Sequence, residues 1–387
     1  MKITELRQLT DAASCPLLVI KVGSALLVGP NGRARREWLG ALAGEIAELR
    51  KRDQRIIVVS SGAIALGAAL LGLEKGGRAS LADAQASAAV GQIALAGLWS
   101  DKLAGRGTTA AQMLVTLDDL EDRRRYLNAA ATLNRLLDAG AVPIVNENDS
   151  VATQEIRFGD NDRLAARVAQ AAGAQGVLLL SDVDGLYDRD PADPEAVLQP
   201  RIEDIDKRVH AMAQGGPGRS GMGSGGMESK IQAAEIATRA GIALGIVNGT
   251  HSGPIGRAMN AATEGGRGTI FLPGKSSNVH SETARKAWLG GKLTLAGSVR
   301  IDRGCADALK GGASLLAAGI VAVEGDFQRG DAIAINGPEG TSLAHGLAEY
   351  DAKKIRKIRG KKTEDHAEIL GHAPRAAVVH RDHMVLL

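Results

Sequence analysis

LLVIKVGS at residues 17–24 and RIIVVSSG at residues 55–62 decide how this chain folds. Each opens with a short apolar run, Leu17–Val22 and Arg55–Val59, rich in branched side chains. Each run ends in small residues, at Gly23 and at Ser60-Ser61-Gly62. Between them Trp38, Leu42, Ile46 and Leu49 recur at spacings of three to four, the period of a helix with one apolar face. Further apolar runs at Ala141–Val145, Val177–Leu180 and Ile242–Val247 alternate with helix-like stretches. Continuous apolar strands separated by helices predict an α/β fold. A mostly parallel central sheet would be covered on both faces, a three-layer αβα sandwich. In such sheets ligands bind beyond the carboxyl ends of the strands, and that is where the unusual polar residues fall.

The pattern changes after Gly274. Residues 1–275 read as one α/β domain, 276–294 as a polar linker, and 295–387 as a small β-rich barrel or roll. Its short strands are expected at Ser298–Ile301, Ile320–Val323, Ala332–Ile335, Ser342–Ala344 and Ala376–Val379. A length of 387 residues independently favours two domains. The composition excludes several classes. With 24% charged residues the chain is not a membrane bundle, and with 44% hydrophobic residues it is not disordered. A net charge of +3 announces neither a nucleic-acid nor a membrane partner. Two cysteines, Cys15 and Cys305, exclude a disulfide scaffold or a multi-cysteine zinc site. The longest apolar stretch, Ala63–Leu71, is far below the roughly 20 residues of a membrane span. The first fifteen residues carry interspersed charges and no targeting pattern, so a reducing cytoplasmic setting is expected. Glycine is abundant at 49 residues and aromatics scarce at 2%.

Two nucleotide motifs are nearly present and fail on context. Gly221, Gly223 and Gly226 fit a dinucleotide fingerprint, but AQGGPGRS precedes them instead of a strand. Gly274-Lys275-Ser276 ends like a phosphate-binding loop, but Gly268 lies one residue too far upstream. The run 215–226, seven glycines in twelve residues, still suits a phosphate. Bare backbone amides there would lead into a helix over Met227–Ala240 that carries Lys230 in its first turns. Lys21 inside an apolar strand is costly unless its charge is used, although an edge lysine snorkels to water. Ser60-Ser61-Gly62 precedes a helix and suits either an anion or simple N-capping. Asn146-Glu147-Asn148-Asp149 and Asp160-Asn161-Asp162 together hold four carboxylates and three amides. Asx turns and a helix cap at Asp160 would use such residues. So many acids directly after a buried strand point instead to a cationic ligand, a metal or lysines between them. Ser181-Asp182-Val183-Asp184 ends another strand and could contact a nucleotide.

Taken together, these segments resemble the amino acid kinase family, in its glutamate-phosphorylating branch. The resemblance is carried by VIKVGSALL (19–27), SSGAIALG (60–67), VPIVNENDSVAT (142–153), FGDNDRLAA (158–166), LLLSDVDGLYDRDP (178–191) and SGMGSGGMESKIQAA (220–234). GDFQRGDAI (325–333), LAHGLAEY (343–350) and AVVHRDHM (377–384) resemble a pseudouridine-synthase-and-archaeosine-transglycosylase (PUA) domain. The resemblance implies transfer of a phosphoryl group from ATP, with Mg²⁺, to the γ-carboxylate of L-glutamate, the first step of proline biosynthesis. It assigns Lys21 and Lys230 to the transferring phosphoryl group and Asp162 to holding both lysines. It assigns Ser61, Gly62, Asn146, Asp149, Asp160 and Asn161 to the acceptor. ATP is assigned to Lys21, Gly23, Ser24, Ser181, Asp182, Ser224, Gly225, Gly226, Met227, Glu228, Ser229 and Lys230. No protein side chain is assigned to the metal, which is expected to run through phosphates and water. Glu228 departs from the pattern, which has an uncharged residue there. The resemblance further implies inhibition by proline, a homo-oligomer (dimer or tetramer), and transfer of the product to a glutamyl phosphate reductase.

Two other readings compete. Another amino acid kinase would act on acetylglutamate, aspartate or carbamate. An RNA-binding role would rest on Lys353–Lys362, seven basic residues in ten. Ile355 and Ile358 make that stretch a short helix with a solvated basic face, and Phe327 and Tyr350 are too few for base stacking, so a nucleic-acid partner is not expected.

Overall fold

The computed structural model describes residues 3–151, 161–213, 226–260, 266–273, 295–371 and 377–386. These form two compact units, one within residues 1–278 and one within 279–387. The linker expected at 276–294, Asp160, Ser224 and Gly225 lie outside the described residues.

In the first unit eight strands form one sheet: Leu17–Val22 (β1), Arg55–Ser60 (β2), Ala110–Val115 (β3), Val142–Glu147 (β4), Gly176–Ser181 (β5), Arg201–Ile202 (β6), Ala243–Asn248 (β7) and Thr269–Phe271 (β8). Their order is β3-β4-β2-β1-β5-β7-β8-β6, parallel throughout except for the antiparallel β7–β8 pair. β1 lies between β2 and β5, with Lys21 opposite Val59 on one side and Leu179 on the other. The helices are Ser24–Leu27 (α1), Arg36–Lys51 (α2), Ala63–Leu71 (α3), Leu81–Ala104 (α4), Leu117–Glu121 (α5), Arg123–Asp138 (α6), Asn161–Ala172 (α7), Lys207–Ala213 (α8), Met227–Arg239 (α9) and Pro254–Met259 (α10).

Successive strand side chains point to opposite faces, so β1 feeds two cores. Leu18, Ile20 and Val22 pack with Trp38, Leu42 and Ile46 of α2 and with Leu95 and Trp99 of α4. Leu17 and Val19 pack with Leu133 of α6, Leu164 and Val168 of α7, and Ile231 of α9. This is the expected three-layer sandwich. The next residue on the α7–α9 face is Lys21, and the register alone delivers it there.

The apolar runs come out as strands to within one or two residues. The strands that sequence reading missed are β3, β6 and β8. β3 is an edge strand, half exposed, with Gln112 in its middle; β6 and β8 span two and three residues. None carries a continuous apolar run.

α3 and α4 approach through glycines. A Cβ on Gly67 would lie 1.8 Å from the Ser87 carbonyl oxygen, and one on Gly91 would lie 1.8 Å from that of Ala63. Backbone therefore rests on backbone, and no side-chain rotation relieves an added methyl group.

The second unit holds Gly297–Ile301 (β9), Ile320–Gly325 (β10), Ala332–Asn336 (β11), Ser342–Leu347 (β12) and Met384–Leu386 (β13), in the order β10-β9-β11-β12-β13. The strand expected at Ala376–Val379 is not there. Ala376 lies outside the described residues, and Val379 makes a single bridge to Leu315. The fifth strand is β13. Val299, Ile301, Phe327, Ile335, Tyr350, Ile355 and Ile358 share one core. Ile355 and Ile358 bury one stripe of helix Ala352–Ile358 and leave its basic residues exposed.

Gly67→Ala and Gly91→Ala are each expected to cost about 3 kcal/mol or more of stability, because the helices must separate to admit a Cβ. Urea denaturation of the full chain measures this.

Candidate active site

β1, α7 and α9 converge on one carboxylate. Asp162, in the first turn of α7, is 1% exposed. One oxygen lies 2.6 Å from Lys21 Nζ, and the other lies 3.2 Å from Lys230 Nζ in the first turn of α9. Ser229 Oγ donates to the same second oxygen at 3.1 Å. Lys21 and Lys230 are 8% and 6% exposed, so all three charges are withdrawn from water. Burial alone would raise the Asp162 carboxyl. The two ammonium groups more than offset it and hold the group well below the usual carboxylate range. One buried anion thus holds two cations side by side at the carboxyl end of the sheet.

Asn161, one residue earlier on α7, faces a different space. Its Nδ2 donates to Ser61 Oγ at 2.6 Å and to Asn146 Oδ1 at 3.0 Å, while Asn146 Nδ2 donates to Gln92 Oε1 of α4 at 2.8 Å. These groups border an open pocket whose walls include Ser24, Gly62, Arg78 and Asp149. Two acceptors there accept no hydrogen bond from the described residues. Asn161 Oδ1 is buried without a hydrogen-bond partner, and Asp149, 9% exposed, has no hydrogen bond to its carboxylate. Burial pushes the Asp149 carboxyl up to about 6, with the Arg78 guanidinium pulling the other way.

The serines do not cap α3. Its N-cap is Gly62, held at φ +113°, with no side-chain cap. Ser61 accepts from Asn161, and Ser60 Oγ accepts from Trp99 Nε1 at 2.9 Å. The N-terminal amides of α3, from Ala63 to Ala65, line the pocket and present the positive end of the helix to it.

On the α9 side, no side chain caps the helix at Gly226. Met227, Glu228, Ser229 and Lys230 form its first turn. Glu228 lies beside α8, with His210 Nδ1 3.5 Å from its carboxylate. Gly23 lies beside Lys21, and a Cβ there would meet Nζ at 3.7 Å. Ser181 ends β5 and donates to Asp182 Oδ1 at 3.2 Å. Asp184, also in that strand-end segment, accepts from Asn248, Tyr187 and Arg267 and ties β5 to the β7–β8 edge.

Sequence reasoning missed Gln92 and Arg78. Gln92 carried a signal, since it is a polar residue on the inward face of α4 between Ala88 and Leu95. Arg78 lies in an exposed loop with no local pattern.

The amino acid kinase family model matches residues 16–248, and the PUA domain model matches residues 297–370. A protein named glutamate 5-kinase from Novosphingobium aromaticivorans is 63% identical over 387 residues, covering 100% of both chains. Proteins of the same name from Sphingopyxis alaskensis and Zymomonas mobilis are 60% and 52% identical. Each is aligned with 97% of this chain, and with 98% and 92% of its own length respectively. Among solved structures, isopentenyl phosphate kinase aligns at a TM-score of 0.43 and 18% identity, over 66% of this chain and 100% of its own. The chain belongs to the amino acid kinase family and carries a PUA domain after its kinase part.

Proposed function

We propose that the protein transfers the γ-phosphoryl group of ATP to the side-chain carboxylate of L-glutamate, giving L-glutamyl 5-phosphate and ADP. One observation carries this reading. The consecutive residues Asn161 and Asp162 divide between a pocket lined by Ser61, Asn146 and Asp149 and a pair of buried lysines. The names of the relatives support the same acceptor.

The chemistry suits these residues. The γ-carboxylate, with a free pKa of about 4.3, is ionised at neutral pH and needs no general base. Its oxygen attacks the γ-phosphorus while the bond to the β-phosphate oxygen breaks. Charge control is what remains to be supplied. Lys21 and Lys230 meet the charge on the transferring oxygens, and Asp162 keeps both ammonium groups in place. Asp149 and Asn161 Oδ1 receive the α-ammonium of the acceptor. Ser181, Asp182 and the α9 N-terminus hold the nucleotide, with Ser224 and Gly225 assigned to the same role, and Asp160 is assigned to the acceptor; these last three lie outside the described residues. Mg²⁺ neutralises the phosphates when bound. The donor set fits a cation carried by phosphate oxygens and water, because both Asp162 oxygens are already engaged by lysines.

The kinase part and the PUA part are separate domains in this reading, divided within residues 276–294, and the protein works in the cytoplasm. No described helix is long and apolar enough to cross a membrane. The protein forms a homo-oligomer through α4, whose exposed stripe runs Ala82, Ala86, Ala89, Ile93, Gly97. Ile93 is 79% exposed and shares a pocket wall with Leu114 of edge strand β3. Sedimentation velocity of Ile93→Asp should show a smaller species than the unsubstituted chain. Proline competes for the acceptor pocket, so added proline should raise the KM for glutamate. The acyl phosphate product passes to a glutamyl phosphate reductase.

An ADP-release assay offering L-glutamate, N-acetylglutamate and aspartate tests the acceptor, and turnover with glutamate far above the others is expected. Lys21→Ala and Lys230→Ala should each lower kcat about a hundredfold or more, with circular dichroism unchanged. Near-normal kcat would remove that lysine from the mechanism. The raised Asp149 pKa sets a pH response. The carboxylate is ionised above about pH 7 and protonated as pH falls through about 6. The KM for glutamate should therefore rise about tenfold between pH 7 and pH 5, and Asp149→Asn should abolish that slope.

A further inference from the structure

Arg78 is the one cation among the described residues that line the acceptor pocket. The chain delivers it there by a constrained route. Lys75, Gly76 and Gly77 take φ values of +50°, +62° and +72° in succession. Gly77 is buried, and a Cβ on it would lie 2.3 Å from Ser87 Oγ, so this turn is pressed onto α4. Two residues after Arg78, Ser80 caps α4 by accepting from the Asp83 amide at 3.0 Å. The backbone on either side of the arginine is thus held, while its side chain is exposed. Among the described residues, no acidic group pairs with its guanidinium.

The charges of a bound amino acid can be assigned one by one. The reacting carboxylate belongs on the Lys21 side, where Ser24, Ser61 and the α3 N-terminus lie. The α-ammonium belongs with Asp149 and Asn161 Oδ1. One charge remains, the α-carboxylate, and one cation remains, Arg78. Arg78 acts on Asp149 through space without forming an ion pair with it. A cation and an anion near each other but not in contact suit the two opposite charges on a single Cα.

Building on the reading of glutamate as acceptor, we propose that Arg78 binds the α-carboxylate of the acceptor amino acid and so determines specificity for an α-amino acid. An arginine–carboxylate pair is charge-assisted and directional. Acceptors with a γ-carboxylate but no charged α-carboxylate are therefore rejected at this residue.

The test compares the unsubstituted chain, Arg78→Gln and Arg78→Lys on L-glutamate and on L-isoglutamine, in which a neutral amide replaces the α-carboxylate. Arg78→Gln should lose about 10- to 100-fold in kcat/KM for glutamate, mostly through KM, with the KM for ATP unchanged. Its loss with isoglutamine should stay within about twofold, since the partner charge is already absent. Arg78→Lys, which keeps the charge but not the fork, should fall between. If isoglutamine turns over too slowly, its inhibition constant against glutamate gives the same comparison. Equal losses on both compounds, or an unchanged KM for glutamate in Arg78→Gln, overturn the assignment. If the unsubstituted chain does not phosphorylate glutamate at all, the acceptor reading fails first, before any Arg78 variant is compared, and the Arg78 assignment falls with it.

Discussion

The Asp162 carboxylate between Lys21 and Lys230 is the interaction on which the rest of the structure depends. Three charges are withdrawn from water; Asp162 offsets the desolvation cost of each lysine, and the two lysines offset that of Asp162. Removing Asp162 alone would leave two buried ammonium groups side by side, the arrangement proteins tolerate least. The fold exists in a form that makes this trio unavoidable. β1 is central and parallel, so its odd-numbered residues must face the α7–α9 layer, and Lys21 is the residue that continues that face at the strand end. α7 and α9 both begin at the carboxyl edge of the sheet, so their first turns meet there. A one-residue slip in β1 would place Lys21 among Trp38, Leu42 and Ile46 with no anion to receive it.

Much of this was legible from residue order. Buried parallel strands announce themselves as continuous apolar runs, and an ionisable residue inside such a run stands out at once, as Lys21 does. The acid- and amide-rich blocks at 146–149 and 160–162 stood out for the same reason: they follow directly on a buried strand. What stayed hidden was partnership. Asn146 and Asn161 are fifteen residues apart and Gln92 lies on another helix, yet the three form one hydrogen-bonded chain. Ser61 looked equally suited to capping a helix, and only its distance to Asn161 decides between the roles. Arg78 offered no periodicity because its position is set by a tight turn and a helix cap on either side of it. Edge strands escaped because half their residues face outward.

The glycine surplus divides into kinds that composition alone could not separate. Gly62 serves a backbone conformation at the head of α3, whereas Gly67 and Gly91 let two helices touch main chain to main chain. The first places helix amides at the pocket; the second fixes α4, and with it Gln92, against the wall that those amides form. The scarcity of aromatics has a counterpart in the second unit, where Phe327 and Tyr350 are both spent on the core and neither is offered to a base. The charge of helix Ala352–Ile358 is presented to water instead.

The adjacency of Asn161 and Asp162 has a practical consequence for redesign. Consecutive helical residues point about 100° apart, so a single turn serves the Ser61–Asn146 pocket and the buried lysine pair at once. Their relative alignment is then a property of peptide geometry, immune to loop motion but also closed to independent adjustment. A protein engineer seeking to enlarge the pocket would gain nothing from moving α7, because any displacement shifts the pocket wall and the lysine pair together. Room has to be made on the walls that α7 does not supply, around Ile64 and Ala65. In that respect the enzyme is half scaffold and half interchangeable fitting, and the boundary between the two runs through one pocket.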